Sequence, residues 1–228
     1  MTEEAAAGIR LVHQPVAFEP RWPSVLAVLI ALGLYVALPQ EVMGNAGAAV
    51  HFTIPAVELV LLAWLALGSP HRHAAESARR RRAAIALTAV LSLANLLALA
   101  LLVVHLADGS VSGRPLLLAA TEIWTTNAIV FALWYWELDG GGPPVRLANR
   151  AGRRDFAFVQ MLSPELAEPG WHPHFVDYVY LSFTNASAFS PSDTLPLTRW
   201  AKLLMLLQSL VSIVTVVLVA ARAVGMLG

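Results

Sequence analysis

The chain has 228 residues, of which 57% are hydrophobic and 13% are charged, and its formal net charge is zero. Ordinary soluble domains carry about 25% charged residues, so this composition argues against a soluble domain. The neutral balance argues against a nucleic-acid partner. The absence of cysteine excludes disulfides, thiolate catalysis and cysteine-ligated metals.

The first two apolar segments are short. Residues 24–39 follow Trp22 and Pro23, and residues 50–68 contain Glu58. We predict that both cross a membrane, because about 20 apolar residues cross a hydrocarbon core about 30 Å thick. A signal peptide is the alternative for the first segment. The leader before it is more than 20 residues long and carries three glutamates, which is not typical of a signal peptide.

The next two segments, 83–106 and 116–136, are long enough to span a bilayer. Four arginines, Arg79–Arg82, stand directly before the first of them. Because basic residues remain on the cytoplasmic side, the loop 69–82 is predicted to be cytoplasmic. The loop 139–173 carries four further arginines and is predicted to lie on the same side.

Two last segments, 175–191 and 200–221, complete a predicted all-α bundle of six transmembrane helices with both termini in the cytoplasm. This arrangement puts twelve Lys and Arg residues inside and three outside, a strong asymmetry of the kind that orients membrane proteins. The alternative is five spans plus a re-entrant loop, because 175–191 is barely long enough to cross.

The segment from Ser182 to Lys202 resembles the pore helix, filter and inner-helix start of pore-loop potassium channels. The residues that coincide with ones common in that family are Ser182, Ala186, Asp193, Pro196, Thr198 and Trp200. The resemblance implies a channel-like arrangement that works as a homo-oligomer. It does not imply a working potassium filter, which in that family reads Thr-Val-Gly-Tyr-Gly.

The filter-equivalent positions lack the glycines that aim carbonyl groups at the ion. They are Ala188, Phe189, Ser190, Pro191 and Ser192. The proline fixes its own backbone and restricts the serine before it. Potassium-selective conduction by the usual filter is therefore not expected.

A second resemblance is to an uncharacterised family of bacterial inner-membrane proteins. It is carried by Asp177, Tyr180, Ser182-Phe183-Thr184 and Ser192-Asp193, with an upstream helix that contains Thr125-Thr126. It implies a multi-pass protein of the bacterial cytoplasmic membrane, but no established activity.

The orientation conflicts with the channel resemblance. In potassium channels the helix before the filter region runs from inside to outside, whereas the basic loops make 116–136 run the other way. The conflict disappears if 175–191 crosses the membrane completely. For this reason we favour six spans over the re-entrant loop.

Polar residues near the last two segments are the candidates for a transport pathway. We predict that Asp177, Ser182, Asn185 and Asp193 line an ion or proton path. The alternative is that such groups join helices by hydrogen bonds.

Glu58 and Glu122 lie eight and six residues into their predicted spans. A carboxyl group at this depth is costly, so both are predicted to bind a proton or cation. The alternative is a protonated carboxyl in a structural network, for which Asn95, Asn127 and Gln208 could supply neutral partners.

His172 and His174 flank a proline and have no adjoining carboxylate cluster, so no metal site is predicted there. The sequence has no His-Glu-x-x-His, Gly-x-Ser-x-Gly or Walker lysine motif, and we expect no enzyme activity and no cofactor. The predicted function is a channel-like or permease-like membrane protein. The alternative is a non-transporting scaffold, and membrane lipids and further copies of the chain are the expected partners.

Overall fold

A computed structural model describes residues 21–39, 41–42, 53–63, 78–109, 111, 113–148, 152–188 and 193–227. Its helices are α1 (Trp22–Ala37), α2 (Thr53–Ala63), α3 (Ala78–Asp108), α4 (Gly113–Leu138), α5 (Pro143–Ala148), α6 (Val159–Leu162), α7 (Phe175–Ala188) and α8 (Arg199–Leu227). Two short strands, β1 (Phe156–Phe158) and β2 (Thr194–Pro196), form an antiparallel pair. Within the described ranges the chain is mostly helical, as predicted for an all-α protein.

Three helices are long and apolar enough to cross a membrane. They are Arg79–Asp108, Gly113–Gly141 and Arg199–Arg222, and they contain the predicted spans 83–106, 116–136 and 200–221. α1 and α2 are apolar but shorter, and part of the predicted span 50–68 lies outside the described residues. These lengths are compatible with a membrane protein.

The helices pack around α4, which contacts α1, α3, α7 and α8. Two apolar clusters are stacked along the bundle. One lies at the end that holds β1 and β2, which we call the ribbon end, and includes Leu87, Tyr135 and Phe156. The other lies at the end that holds the connection from α3 to α4, which we call the turn end, and includes Leu102 and Leu116.

α1 and α2 run in opposite directions through this bundle. α1 starts with a proline in its first turn, where no hydrogen bond is lost. The guanidinium of Arg21, just before α1, lies over the Trp136 ring at the ribbon end, 5.9 Å from its centroid. Tyr35, near the other end of α1, belongs to the turn-end cluster. In α2, Ile54 packs on the turn-end cluster and Leu62 belongs to the ribbon-end cluster.

α3 and α4 form an antiparallel helical hairpin. Gly109, after α3, has a φ of 66°, a conformation that glycine adopts readily at the end of a helix. The Trp134 indole N–H donates to Ser92 Oγ across the two helices (2.8 Å). A Cβ at Gly142, after α4, would lie 3.4 Å from Arg81 Nε near the start of α3. The arginine run before α3 therefore lies at the ribbon end.

α7 and α8 both begin at the ribbon end. Phe175, the first residue of α7, packs edge-to-face on Trp136 with ring centroids 5.7 Å apart. β2 follows α7 and pairs with β1, with Thr194 opposite Phe158. α8 then starts beside β2 and reaches the turn end, where Leu218 packs on the second cluster.

This arrangement differs from the six-span prediction. α7 has 14 residues, which gives about 21 Å at 1.5 Å per residue and is short of a full crossing. Because β2 pairs with β1, Phe175 and β2, which stand on either side of most of the predicted span 175–191, lie at the same end of the bundle, and a full crossing would separate them. The structure therefore fits the alternative of a re-entrant segment.

Candidate functional site

Ser182 and Asn185, predicted to line a pathway, are buried between α4, α7 and α8. The Ser182 hydroxyl donates to the Ala128 carbonyl oxygen of α4 (2.6 Å). The Asn185 side-chain N–H group donates to the Met205 carbonyl oxygen of α8 (3.0 Å). Both residues therefore join α7 to its neighbours.

Gln208 of α8 is the centre of this network. Its amide N–H group donates to Ser182 Oγ (2.7 Å) and to the Ser182 carbonyl oxygen (2.8 Å). Its side-chain oxygen accepts from the Tyr135 hydroxyl (2.6 Å) and from Asn185 Nδ2 (2.9 Å). Asn127 Nδ2 donates to the Gln208 backbone carbonyl (3.3 Å). Two of the predicted neutral partners, Asn127 and Gln208, thus serve this network.

The network continues one turn further along α8. The Ser212 hydroxyl donates to the Ala186 carbonyl oxygen near the end of α7 (2.6 Å), and it accepts from the Trp124 indole N–H (2.7 Å). The hydrogen bonds of this network join α4, α7 and α8 to one another. For Ser182 and Asn185 the geometry favours the alternative of hydrogen-bonded helix contacts.

Asp177 and Asp193 lie apart from that network, at the ribbon end. Asp177 Oδ2 accepts the His174 backbone N–H (2.7 Å) and so closes the first turn of α7. Asp193 is half-buried, and its Oδ1 has no hydrogen-bond partner among the described residues. The structure therefore does not bring the four pathway candidates together.

Of the filter-equivalent positions, Ala188 is the exposed last residue of α7. The other four, Phe189, Ser190, Pro191 and Ser192, lie outside the described residues. The resemblance to pore-loop channels remains a prediction.

Glu58 lies on the face of α2 that carries Ile54 and Leu62, one turn away on either side. It is 0% exposed, and neither carboxyl oxygen has a hydrogen-bond partner within the described ranges. Since Ile54 packs on the turn-end cluster and Leu62 on the ribbon-end cluster, Glu58 lies between the two apolar layers.

Glu122 has a different environment, in the half of α4 nearer the turn end. The residue is partly exposed, and its Oε2 atom is buried with no hydrogen-bond partner in the described part of the chain. Thr121 and Thr125 lie in the same part of α4, and their hydroxyls donate to carbonyl oxygens of their own helix (2.9 and 2.8 Å). Asn95 of α3 is buried, and its Oδ1 also has no partner among the residues described.

Sequence reasoning missed a buried polar junction at the ribbon end. Asp139 is 0% exposed, and its carboxylate accepts the Tyr178 hydroxyl (2.7 Å) and the backbone N–H groups of Asp155 (2.8 Å) and Phe156 (3.2 Å). Arg154 Nη1 lies 4.0 Å from the same carboxylate. Asp139 thereby ties α4 to α7 and to β1.

The junction also holds the start of α8. Asp155 accepts the Gly140 backbone N–H (3.0 Å) and the Thr198 hydroxyl (2.7 Å). The Thr198 Oγ1 atom in turn accepts the Ala201 N–H (3.3 Å), as a helix N-cap residue does. The Arg146 guanidinium lies over the Tyr178 ring, 5.0 Å from its centroid. One sequence signal was available, an aspartate followed by three glycines directly after an apolar helix.

His172 and His174 lie close to each other before the start of α7. The His172 and His174 rings lie 4.4 Å apart. No group of three His, Cys, Asp or Glu side chains that could hold a metal occurs in the described residues.

Comparison with protein-family models, with curated proteins and with solved structures finds no match to this chain. The class of the protein rests on its fold alone. The fold is a helical bundle compatible with a membrane, in which α7 and α8 start at the same end.

Proposed function

We propose that this chain is a permease-like membrane protein that moves protons or small cations, with Glu58 as its ion-binding carboxyl group. The observation that carries the proposal is the environment of Glu58. The side chain is completely buried between two apolar layers, and its oxygens have no hydrogen-bond donor among the described residues.

A carboxylate without a bound partner is unfavourable in such an environment, because burial removes its water without replacement. It is neutral when it holds a proton, and it is compensated when a cation lies beside it. Glu58 must therefore bind a proton or a cation in order to stay at mid-depth. A protein that carries protons or cations across a membrane needs a binding group of this kind. Glu122, with one buried oxygen, is the second proposed proton-binding residue.

The orientation that we propose has five crossings, with α7 as a re-entrant half-helix that enters from the cytoplasm. Ten of the twelve Lys and Arg residues in the described part of the chain lie at the ribbon end, and two lie at the turn end. The ten are Arg21, Arg79, Arg80, Arg81, Arg82, Arg146, Arg153, Arg154, Arg199 and Lys202, and the two are Arg114 and Arg222. Because basic residues are retained on the cytoplasmic side, the ribbon end faces the cytoplasm.

This orientation moves Arg199 and Lys202 from the outside, where six spans put them, to the inside. The charge asymmetry supports it better than the six-span arrangement. The start of α1 is then inside and the end of α8 outside, in place of two cytoplasmic termini. We also propose that the protein lies in a bacterial cytoplasmic membrane and forms a homo-oligomer. We propose no catalytic role.

The test is flux through purified protein in liposomes, with pH-sensitive and cation-sensitive dyes inside. We expect the wild type to dissipate an imposed gradient, and Glu58→Gln, which has the same shape but no titratable proton, to abolish this flux. Glu165→Gln is the matched control, because Glu165 is exposed at the ribbon end. Equal flux in Glu58→Gln and wild type, with both proteins folded, would remove Glu58 from the proposal.

A non-transporting scaffold is the second candidate, and the closed network around Gln208 favours it. Ser182 and Asn185 satisfy their hydrogen bonds inside the protein, as packing residues do. A scaffold predicts no flux of any tested ion in the wild type, while Glu58→Gln changes only stability or assembly.

A further inference from the structure

A groove runs along the seam between α4 and α8 in the half of the bundle nearer the turn end. It has a volume of about 170 Å³. Its walls are Ala120, Thr121, Trp124, Thr215, Val216 and Val219. Thr121 and Val216 are exposed, so the groove opens on the outer surface of the bundle, where lipid would lie.

Among the described residues, α7 covers only one part of this seam. Phe183 packs edge-to-face on Trp124, with ring centroids 5.5 Å apart. Ser212 bonds to the Ala186 carbonyl oxygen close by. α7 ends two residues later, so it covers the seam at the ribbon end and leaves the turn-end half uncovered by any described residue.

Towards the turn end the groove leads to a small apolar cleft. This cleft shares Ala120 and Val219 with the groove, and leucines of α3, α4 and α8 form most of its wall, together with Arg222. The distance from Thr215 to Arg222 along α8 is about 10 Å at 1.5 Å per residue. The groove, with a volume of about 170 Å³, has room for part of an acyl chain, whereas the cleft, with about 10 Å³, is only a narrow neighbour of it on the side of Arg222. We call the groove and the cleft together the track.

Arg222 is an unusual residue at the end of such a track. It is only partly exposed, and its Nε atom is buried with no hydrogen-bond partner in the described ranges. A guanidinium with an unused buried donor favours an anion, and planar oxyanions fit its geometry. Arg114, the other described cation of this end, lies in the first turn of α4, whose free N–H groups also attract negative charge.

We propose that this track binds an anionic phospholipid, with one acyl chain along the α4–α8 seam and the phosphate at Arg222. An acyl chain fits a narrow apolar groove that faces lipid, and a basic residue at the end of the groove selects a negative headgroup. This proposal does not depend on ion transport at Glu58.

The experiment measures lipid retention by native mass spectrometry of the purified protein in detergent, with phosphatidylglycerol and phosphatidylcholine offered in equal amounts. We expect the wild type to retain phosphatidylglycerol preferentially. Arg222→Gln should lose this preference, and Val216→Trp, which fills the groove, should lose the bound lipid altogether.

Two matched variants act as controls. Arg199→Gln removes an exposed arginine at the other end of the same helix, and Val217→Trp adds the same bulk next to the groove, at an exposed residue that does not line it. Both should retain phosphatidylglycerol as the wild type does. Equal retention in all five proteins would overturn the proposal. Loss of a dimer in Val216→Trp, with lipid retention unchanged, would assign the groove to a second copy instead.

Discussion

At the scale of single residues, the buried polar side chains of the bundle fall into two groups. Ser182, Asn185 and Gln208 use their donors and acceptors on neighbouring helices. Glu58 has no hydrogen-bond partner among the described residues. The sequence identified Ser182, Asn185 and Glu58 as candidates but could not separate the groups, because helical spacing gives the face of a side chain and not its partner on another helix.

The first prediction compares a serine that bonds to other helices with one that bonds only within its own helix. Ser212→Ala removes the hydrogen bonds from α8 to α7 and to Trp124 of α4, and we expect it to lower the free energy of unfolding by about 1 kcal/mol. Ser187→Ala is the control, because the Ser187 hydroxyl bonds only to the Phe183 carbonyl oxygen of its own helix. Unfolding in mixed detergent micelles measures both. Equal destabilisation by the two changes would contradict the structural role of Ser212.

The second prediction concerns the buried carboxylate of Asp139. Asp139→Ala removes the carboxylate that accepts the Tyr178 hydroxyl and two backbone N–H groups, so we expect the free energy of unfolding to fall by about 2–4 kcal/mol. Hydrogen exchange should speed up at the amides of Asp155 and Phe156, which bond to this carboxylate. Glu165→Ala, at an exposed position, should leave exchange there unchanged. Slow exchange in both variants would show that the junction does not depend on Asp139.

At the scale of elements, an apolar pattern predicts that α7 is a helix but not how far it reaches into the bundle. The sequence predicted a helix starting at residue 175, and the structure has one. Its depth depends on where its ends are held. Phe175 is held on Trp136, and β2, which follows α7, is held on β1. Strands of three residues carry too little pattern to be recognised from sequence.

The third prediction tests this strand pair. Ala157 and Leu195 are direct partners across the pair, and side chains opposite each other in antiparallel strands come within about 4.5–5.5 Å at Cβ. The double change Ala157→Cys and Leu195→Cys should therefore form a disulfide under mild oxidation, detected by mass spectrometry after proteolysis. Pairing Ala157→Cys with Val176→Cys, at the exposed start of α7, should not. If 175–191 crossed the membrane, neither pair would form.

At the scale of the whole molecule, the distribution of charge and the direction of the helices agree. Each of α1, α3 and α8 begins at the ribbon end, and the turn end holds only Arg114 and Arg222 of the described basic residues. The five crossings that we propose are an odd number, because α7 does not cross. This proposal predicts that the start of α1 and the end of α8 face different compartments.

The fourth prediction uses the fact that the chain has no cysteine of its own. A single Val224→Cys, near the exposed end of α8, should react with an impermeant maleimide added to intact cells. Leu195→Cys and Leu166→Cys, both exposed at the ribbon end, should react only after the membrane is opened. Labelling of Leu195→Cys in intact cells, with Leu166→Cys and Val224→Cys labelled only after the membrane is opened, would restore the six-span arrangement with both termini in the cytoplasm.

The sequence by itself predicted a mostly helical protein compatible with a membrane, its three long apolar helices, and that the arginines before α3 and after α4 lie at one end. These properties are sums over neighbouring residues, since apolar length and local charge need no knowledge of distant contacts. Only the tertiary structure decided that α7 turns back, because that depends on contacts between residues far apart in the chain, such as Asp139 with Tyr178 and Phe158 with Thr194. Contacts between distant residues also distinguish Glu58, which has no hydrogen-bond partner among the described residues, from the paired polar residues of α4, α7 and α8.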